Sequence, residues 1–146
     1  MKVYLDNCYF NRPYDNQDHL SIKLETEAKL RIQEMIKEKK LLLIWSFMLD
    51  YENSANPGTS KRDSIYEWHD YSSAYISFKE DILRLSQKIA ALGFGKKDSI
   101  HLSCVITGKS EYFITVDNGI LYKNNSISDI KIIDPISLIR IMEETI

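Results

Sequence analysis

The stretch Lys2-Val3-Tyr4-Leu5-Asp6-Asn7 is a short apolar run that ends abruptly in a carboxylate and an amide. Val3–Leu5 predicts a strand buried on both faces, as the strands of a parallel sheet are. In an open α/β sheet, ligands bind in the crevice beyond the carboxyl ends of the strands, where Asp6 would lie. Aspartate is also a common turn residue, so this stretch alone leaves open whether Asp6 binds a ligand or caps a turn.

The composition indicates one compact domain, residues 1–146, because 44% of the 146 residues are hydrophobic and can form a sizeable core. The net charge of −2 excludes a protein that binds nucleic acid through bulk positive charge alone. The longest apolar run, Leu41–Trp45, is too short to cross a membrane, and no signal peptide is visible. Cys8 and Cys104 lack metal-binding spacing and are expected to be reduced. We therefore expect a cytoplasmic protein with no membrane partner.

Strand and helix patterns alternate along the chain. Apolar residues recur every four positions from Leu20 to Ile36, which predicts an amphipathic helix. Further strands are predicted at Leu41–Trp45, Glu111–Thr115 and Ile130–Ile133. Strands that alternate with helices form a parallel sheet covered on both faces, so the predicted fold class is α/β with a mainly parallel sheet.

Two helix starts carry recognisable signals in the middle of the chain. Ser46 can cap the helix that follows the second strand. Ser77-Phe78-Lys79-Glu80 matches a capping box, which predicts a helix beginning behind Ser77. Between them an aromatic-rich segment predicts a helix that is either core or a dimer face; its aromatic residues are Tyr66, Trp68, Tyr71 and Tyr75.

Four acidic residues are predicted to meet at one edge of the sheet. Asp6 and Asp117 follow strands, Glu52 lies in the helix after the second strand, and Asp98 lies in the first turn of a later helix. Carboxylates this close repel one another unless a cation neutralises them, and oxygen ligands suit Mg²⁺ or Mn²⁺. One or two such ions can activate a water for phosphoryl displacement. The helix dipole, which favours acids in a first turn, is the plainer explanation of Asp98.

A second acid, Asp50, lies on the same predicted helix as Glu52. The two side chains point about 200° apart, so a single site can use only one of them. Glu52 shares a stripe with Met48 and Ala55, and we predict that Glu52 is the acid turned towards the protein.

The chain resembles the PIN-domain nucleases, a family that includes the VapC-type toxins of bacterial toxin–antitoxin pairs. The similar stretches occur in order over nearly the whole chain: Val3-Tyr4-Leu5-Asp6-Asn7, Ser46 with Asp50-Tyr51-Glu52, Lys97-Asp98-Ser99-Ile100-His101-Leu102, and Tyr112-Phe113-Ile114-Thr115-Val116-Asp117. The segment Leu5–Pro13 is similar to the opening of one subgroup of small PIN proteins.

The resemblance implies a three-layer α/β/α sandwich with a metal-dependent ribonuclease site. On this resemblance, the catalytic residues and the ligands of Mg²⁺ or Mn²⁺ are the four family acids Asp6, Glu52, Asp98 and Asp117. Thr115 matches the hydroxyl residue before the last acid, and Asn7 matches a polar pocket position. Many members carry another acid or amide after the fourth acid, where only Asn118 is available, so one or two metals remain open. The implied partners are an RNA substrate, a small antitoxin protein and a second copy of the chain.

Other polar residues have plainer alternatives. His101 stands three residues after Asp98 and could share a metal, although we predict a supporting or packing role. Basic residues in loops or helix starts could contact RNA phosphates, although charged loops are usually just solvated; they are Arg12, Lys61, Arg62, Lys96, Lys97 and Lys109.

Two alternative functions remain on the sequence alone. The first is a non-catalytic PIN-like module that binds RNA or protein. The second is a phosphate-accepting α/β domain with Asp6 as nucleophile, which leaves Glu52 and the helix of Asp98 without a role. For the nuclease, relief of carboxylate repulsion predicts that Asp6→Asn is more stable than wild type without metal.

Overall fold

A computed structural model describes residues 1–11 and 15–144. The strands are β1 (Lys2–Leu5), β2 (Leu42–Ser46), β3 (Ser72–Ile76), β4 (Tyr112–Ile114) and β5 (Lys131–Ile133). The α-helices are α1 (Asn7–Asn11), α2 (Leu20–Lys37), α3 (Phe47–Ser54), α4 (Thr59–Tyr66), α5 (Glu80–Ala90), α6 (Lys96–Thr107), α7 (Asn118–Leu121) and α8 (Pro135–Glu144). A 3₁₀ helix, Glu67–Tyr71, follows α4.

The five strands form one parallel sheet in the order β3-β2-β1-β4-β5. Helices flank this sheet; α5 packs against α6, and α2 packs against α8. The central strand β1 is the most buried element, because Val3, Tyr4 and Leu5 are fully shielded from solvent. The predicted α/β class with a parallel central sheet is therefore confirmed.

Strand register brings the ends of β1, β2 and β4 to one edge of the sheet. Tyr4 pairs with Ile44 on β2 and with Phe113 on β4. The backbone N–H of Asp6 then donates to the carbonyl of Ile114 at 2.9 Å. Residues that follow these strands therefore start from neighbouring positions, and we call this side of the sheet the carboxyl edge.

Several local predictions agree with the structure. The Ser46 hydroxyl accepts a hydrogen bond from the backbone N–H of Leu49 at 3.3 Å and caps α3. Gly108 follows the end of α6, and the short helix α7 begins at Asn118. Cys8 and Cys104 are free cysteines. In the ranges that the structure describes, no helix has the length and apolarity needed to span a membrane.

The aromatic-rich segment was wrongly predicted to be a single helix. Tyr66 ends α4, Trp68 and Tyr71 lie in the 3₁₀ helix, and Tyr75 lies in strand β3. β3 is an edge strand that pairs with β2 through an irregular register, and its side chains are half-buried or exposed. Because neither face of β3 is buried, its sequence lacks the apolar signal that marks the inner strands.

The predicted capping box was also wrong. Helix α5 begins at Glu80, and its N-cap is Lys79, whose side chain makes no capping hydrogen bond. Ser77 therefore lies outside the helix, in the loop between β3 and α5.

A candidate acidic site at the carboxyl edge

Asp6 directly follows β1 and is only 5% exposed. Its carboxylate accepts three hydrogen bonds, from the backbone N–H of Asn7 at 2.7 Å, the Thr115 hydroxyl at 2.9 Å and the Cys8 thiol at 3.1 Å. Burial, and then the charge of Asp6, raise the pKa of Cys8, so the thiol stays protonated and can donate. These donors hold the Asp6 carboxylate in one orientation.

Thr115 links Asp6 to the acid that follows β4. Its fully buried hydroxyl donates to Asp6 and accepts from the backbone N–H of Asp117 at 3.1 Å. The Asp117 side chain is exposed and accepts from the backbone N–H of Gly119 at 2.8 Å, which caps α7. Asp117 thus has the local structural role of a helix cap and lies at the same edge as Asp6.

Glu52 faces the carboxyl edge from helix α3 through a hydrogen bond to a buried histidine. Its Oε1 pairs with Nε2 of His101, a fully buried residue of α6. The same nitrogen lies 4.0 Å from Oδ1 of Asp6. His101 therefore lies between two of the predicted acids.

A row of hydroxyl groups supports the other side of the His101 ring. Nδ1 of His101 is 2.5 Å from the Tyr4 hydroxyl, which is 2.6 Å from the Ser46 hydroxyl. All three side chains are fully buried. Because each hydroxyl can donate or accept, the row can accommodate His101 in its neutral or its protonated form. The row fixes the ring that in turn contacts Glu52.

Opposite charges shift the pKa values of this pair. Burial lowers the pKa of His101, but the hydrogen bond to Glu52 and the charges of Asp6, Glu52 and Asp98 outweigh it, so the pKa is raised overall. Burial raises the pKa of Glu52, but the hydrogen bond to His101, the charges of His101 and Lys97 and a hydrogen bond from Asn7 lower it overall. The structure therefore favours an ion pair between Glu52 and protonated His101.

Asp98 lies in the first turn of α6 and is half-buried. Its pKa is raised to about 6 by burial, and next by the negative charges of Asp6, Asp117 and Glu52, while His101 acts in the opposite direction. The four predicted acids therefore lie close enough to influence one another, and we call Asp6, Glu52, Asp98 and Asp117 the acidic cluster.

Replacing Asp98 with asparagine should stabilise the metal-free protein at pH 7 to 8. The folded-state pKa of about 6 lies above the ordinary 3.8, so ionising this carboxyl costs folding free energy above pH 6. The gain should be on the order of 1 kcal/mol, because solvent screens a half-exposed group. It should vanish below about pH 3.8, where the carboxyl is neutral in both states. Urea unfolding with EDTA measures it; an equal effect of Asp98→Asn at every pH would contradict the assigned repulsion.

Asp50 lies on the same helix as Glu52 and faces a different neighbourhood. Its carboxylate accepts from the Trp45 indole N–H at 2.8 Å and from the Tyr75 hydroxyl at 2.7 Å. The prediction that Glu52, rather than Asp50, turns towards the other acids agrees with these contacts.

The predicted supporting and basic residues have different surroundings. The Asn7 side-chain amide hydrogen-bonds to Glu52, and Asn118 is exposed at the start of α7. The Arg62 guanidinium donates to the carbonyl of Asn56 and the hydroxyl of Thr59, and so holds the turn before α4. Lys61 lies in the same first turn of α4, and Arg12 lies outside the described residues.

The sequence did not reveal the hydroxyl row behind His101. Tyr4 was assigned to the core and Ser46 to helix capping, and both assignments are true of their positions. The available signal was a tyrosine in the middle of an otherwise apolar central strand, since a buried tyrosine hydroxyl needs a hydrogen-bond partner. Which residue would meet it across the sheet could not be inferred from spacing.

The chemistry of the acidic cluster suits a hard divalent cation. All four acids offer carboxylate oxygens, and Oδ1 of Asn7 is a further buried oxygen that has no hydrogen-bond partner among the residues that the structure describes. Within residues 1–11 and 15–144, however, no three His, Cys, Asp or Glu side chains are grouped as metal ligands are. The oxygen atoms of the acidic cluster are ligands of the kind that Mg²⁺ and Mn²⁺ prefer. The side chains of the cluster would have to move before three of them could bind the same ion.

The fold of the chain is similar to that of a solved structure. No protein-family model and no curated protein matches the sequence. The chain is similar to VapBC2 from Rickettsia felis, which was crystallised bound to a DNA fragment from its own promoter. The TM-score of this match is 0.56 and the sequence identity is 14%. The match covers 92% of this chain and 98% of that chain. At this identity the likeness establishes a common fold.

Proposed function

We propose that this chain is a PIN-type endoribonuclease that requires a divalent metal and hydrolyses RNA phosphodiester bonds at the acidic cluster. The observation that carries the proposal is the placement of these acids at one edge of the sheet. Nε2 of His101 contacts Glu52 and lies 4.0 Å from Oδ1 of Asp6, and the Thr115 hydroxyl joins the Asp6 carboxylate to the backbone N–H of Asp117. The fold shared with VapBC2, a toxin–antitoxin complex, supports the same activity class. Four clustered carboxylates are the arrangement that phosphoryl chemistry with Mg²⁺ or Mn²⁺ uses.

The residues of the acidic cluster would hold one or two Mg²⁺ or Mn²⁺ ions. A bound ion would neutralise the carboxylates and stabilise negative charge on the phosphate oxygens. Asp6 is the fixed member, since three donors orient its carboxylate. Glu52 is positioned by His101, and Asp117 is tied to Asp6 through Thr115.

Asp98 is the carboxylate best suited to accept the proton of the attacking water. A general base works best when its pKa lies near the operating pH. The pKa of Asp98 is raised to about 6, whereas the pKa of Glu52 is lowered by its histidine partner. Of the two candidate bases, Asp98 therefore keeps the greater affinity for a proton.

The likeness to VapBC2 also supports a proposal about partners. We propose that a small antitoxin protein covers the acidic cluster and that the protein acts in the cytoplasm, where its RNA substrate is found. A second copy of the chain is a further proposed partner. Co-expression with any small protein that is encoded beside this chain, followed by co-purification, tests the antitoxin partner.

Cleavage of RNA should depend on Mg²⁺ or Mn²⁺ and disappear with EDTA. Glu52→Gln should lower the rate strongly, whereas Asp50→Asn, on the same helix but bonded to Trp45 and Tyr75, should not. The ion should also raise the melting temperature, because binding at 100 times its dissociation constant adds about 2.7 kcal/mol of stability. Cleavage that continues in EDTA would refute metal dependence.

A non-catalytic RNA- or protein-binding module is the second candidate. It is favoured by the bond that engages Glu52 with His101, and by the lack of a grouped three-ligand set among the residues that the structure describes. Isothermal calorimetry separates the two functions. RNA binding without binding of Mg²⁺ or Mn²⁺, and without cleavage, would establish the module.

A further inference from the structure

A groove of about 370 Å³ opens between α3 and α6. This volume falls in the usual range of small-molecule sites. Aromatic side chains line one part of it, Phe47 and Tyr51 from α3 and Phe78 from the loop after β3. Lys96 and Lys97, at the start of α6, line another. The groove therefore combines apolar walls with positive charge.

Two aromatic rings of this groove, those of Tyr51 and Phe78, are exposed. Tyr51 is 63% exposed and Phe78 is 55% exposed, although large apolar side chains are normally shielded. Phe78 packs edge-on against Phe47, with ring centroids 5.5 Å apart and an angle of 84° between the rings. Nζ of Lys97 lies 6.0 Å from the centre of the Tyr51 ring. Flat apolar surface and a cation are thus offered to solvent at one place.

The groove adjoins the acidic cluster because both are built from the same helices. Tyr51 precedes Glu52 on α3, and Lys97 precedes Asp98 on α6. Adjacent residues of a helix project about 100° apart, so one turn presents an acid to the cluster and its neighbour to the groove.

We propose that this groove binds one nucleotide of single-stranded RNA beside the acidic cluster. The base stacks on the rings of Tyr51 and Phe78, and Lys97 contacts its phosphate. A nucleotide has both an aromatic face and an anionic phosphate, and so matches both features of the groove. An apolar peptide side chain would leave the lysines unmatched. This inference rests on the proposed ribonuclease function and assigns that site a substrate contact.

The test measures binding of a fluorescein-labelled single-stranded RNA by fluorescence polarisation, in EDTA so that binding is read without cleavage. Tyr51→Ala and Phe78→Ala should each weaken binding about 5- to 100-fold, the range for loss of one stacked base. Lys97→Ala should reduce the slope of log K against log salt by about 0.7, the value for one phosphate contact on a single strand. Tyr51→Ala should leave that slope unchanged.

The matched control is a tyrosine and a lysine at the opposite side of the sheet, where strand β3 begins. Nζ of Lys37 lies 5.5 Å from the centre of the Tyr71 ring, and Tyr71 is 48% exposed just before β3 begins. Tyr71→Ala and Lys37→Ala should leave RNA binding unchanged. All five substituted positions are at the surface, so circular dichroism should show each variant folded.

The outcomes separate this inference from the proposed function. If wild type cleaves RNA but the groove variants bind as tightly as wild type, the groove assignment is wrong and the nuclease stands. If wild type binds RNA through the groove without cleaving it, the groove stands and the nuclease fails. Equal losses in the groove and control variants, or no RNA binding by wild type, would overturn the groove assignment.

Discussion

Asp6→Asn should lower RNA cleavage in Mg²⁺ or Mn²⁺ by about 100-fold or more. The substitution removes the charge of the most rigidly held carboxylate in the acidic cluster, and a bound cation contributes several kcal/mol of transition-state stabilisation. This carboxylate is held in one orientation by hydrogen bonds from Thr115, Cys8 and the backbone of Asn7. Its charge is therefore fixed at one point of the acidic cluster. Single-turnover cleavage at saturating metal measures the loss.

The same substitution should also destabilise the metal-free protein by about 1–3 kcal/mol. The carboxylate accepts at both oxygens, whereas an amide can accept at only one and would direct N–H groups at a donor. These hydrogen bonds therefore predict the opposite of the sequence-based expectation that Asp6→Asn is stabilising. Relief of repulsion is expected at Asp98, the acid whose pKa is raised by its neighbours.

Asp134→Asn is the matched control for Asp6→Asn. Asp134 also follows a strand, β5, and its carboxylate accepts from a backbone N–H, that of Ser137, at 2.7 Å. Asparagine caps helices about as well as aspartate, so this variant should keep both stability and activity. Full cleavage by Asp6→Asn would contradict the role of Asp6 as an anchor of the site.

The sequence predicted the inner part of this fold because burial leaves a clear pattern there. β1, β2 and β4 are short apolar runs, and their parallel order places the residues that follow them at one edge. Helical periodicity alone predicted that Glu52, rather than Asp50, faces that edge. β3 was not predicted, because an exposed edge strand has no short apolar run in its sequence.

Contacts across the sheet were beyond sequence reasoning. Tyr4, Ser46 and His101 come from β1, β2 and α6, and only the packed structure brings their polar atoms together. Spacing could relate His101 to Asp98 on one helix, but it could not show that the ring lies against Glu52 and near Asp6. The packed structure therefore places a buried imidazole beside the acids; burial lowers its pKa, but its hydrogen bond to Glu52 and the neighbouring negative charges outweigh burial and raise it.

Replacing His101 with leucine should destabilise the metal-free protein by about 3 kcal/mol or more. Removing one partner of a buried ion pair leaves the other charge uncompensated, which typically costs 3–5 kcal/mol. Here the loss would leave Glu52 without its partner and the Tyr4 hydroxyl without the ring nitrogen. Urea unfolding in EDTA measures the change.

The pH dependence of stability should reveal the charge on His101. Its folded-state pKa is raised above the ordinary value of about 6.5, so protonation stabilises the folded state. That stabilisation is complete below about pH 6.5 and is lost as the pH rises through the folded-state pKa. Wild type should therefore become less stable above pH 6.5. The contribution of Asp98 falls in a lower window, between about pH 3.8 and 6.

His101→Gln separates the charge of the ring from its hydrogen bond. Glutamine can still donate to Glu52 but cannot be protonated, so the slope above pH 6.5 should disappear while less stability is lost than in His101→Leu. Glu52→Gln should reduce the same slope. Burial lowers the pKa of His101, and the hydrogen bond to Glu52 is the contact that does most to raise it. If His101→Gln kept the wild-type slope, another group would be titrating. His101 would then be a neutral packing residue, and the acidic cluster would lack the internal cation that its geometry implies.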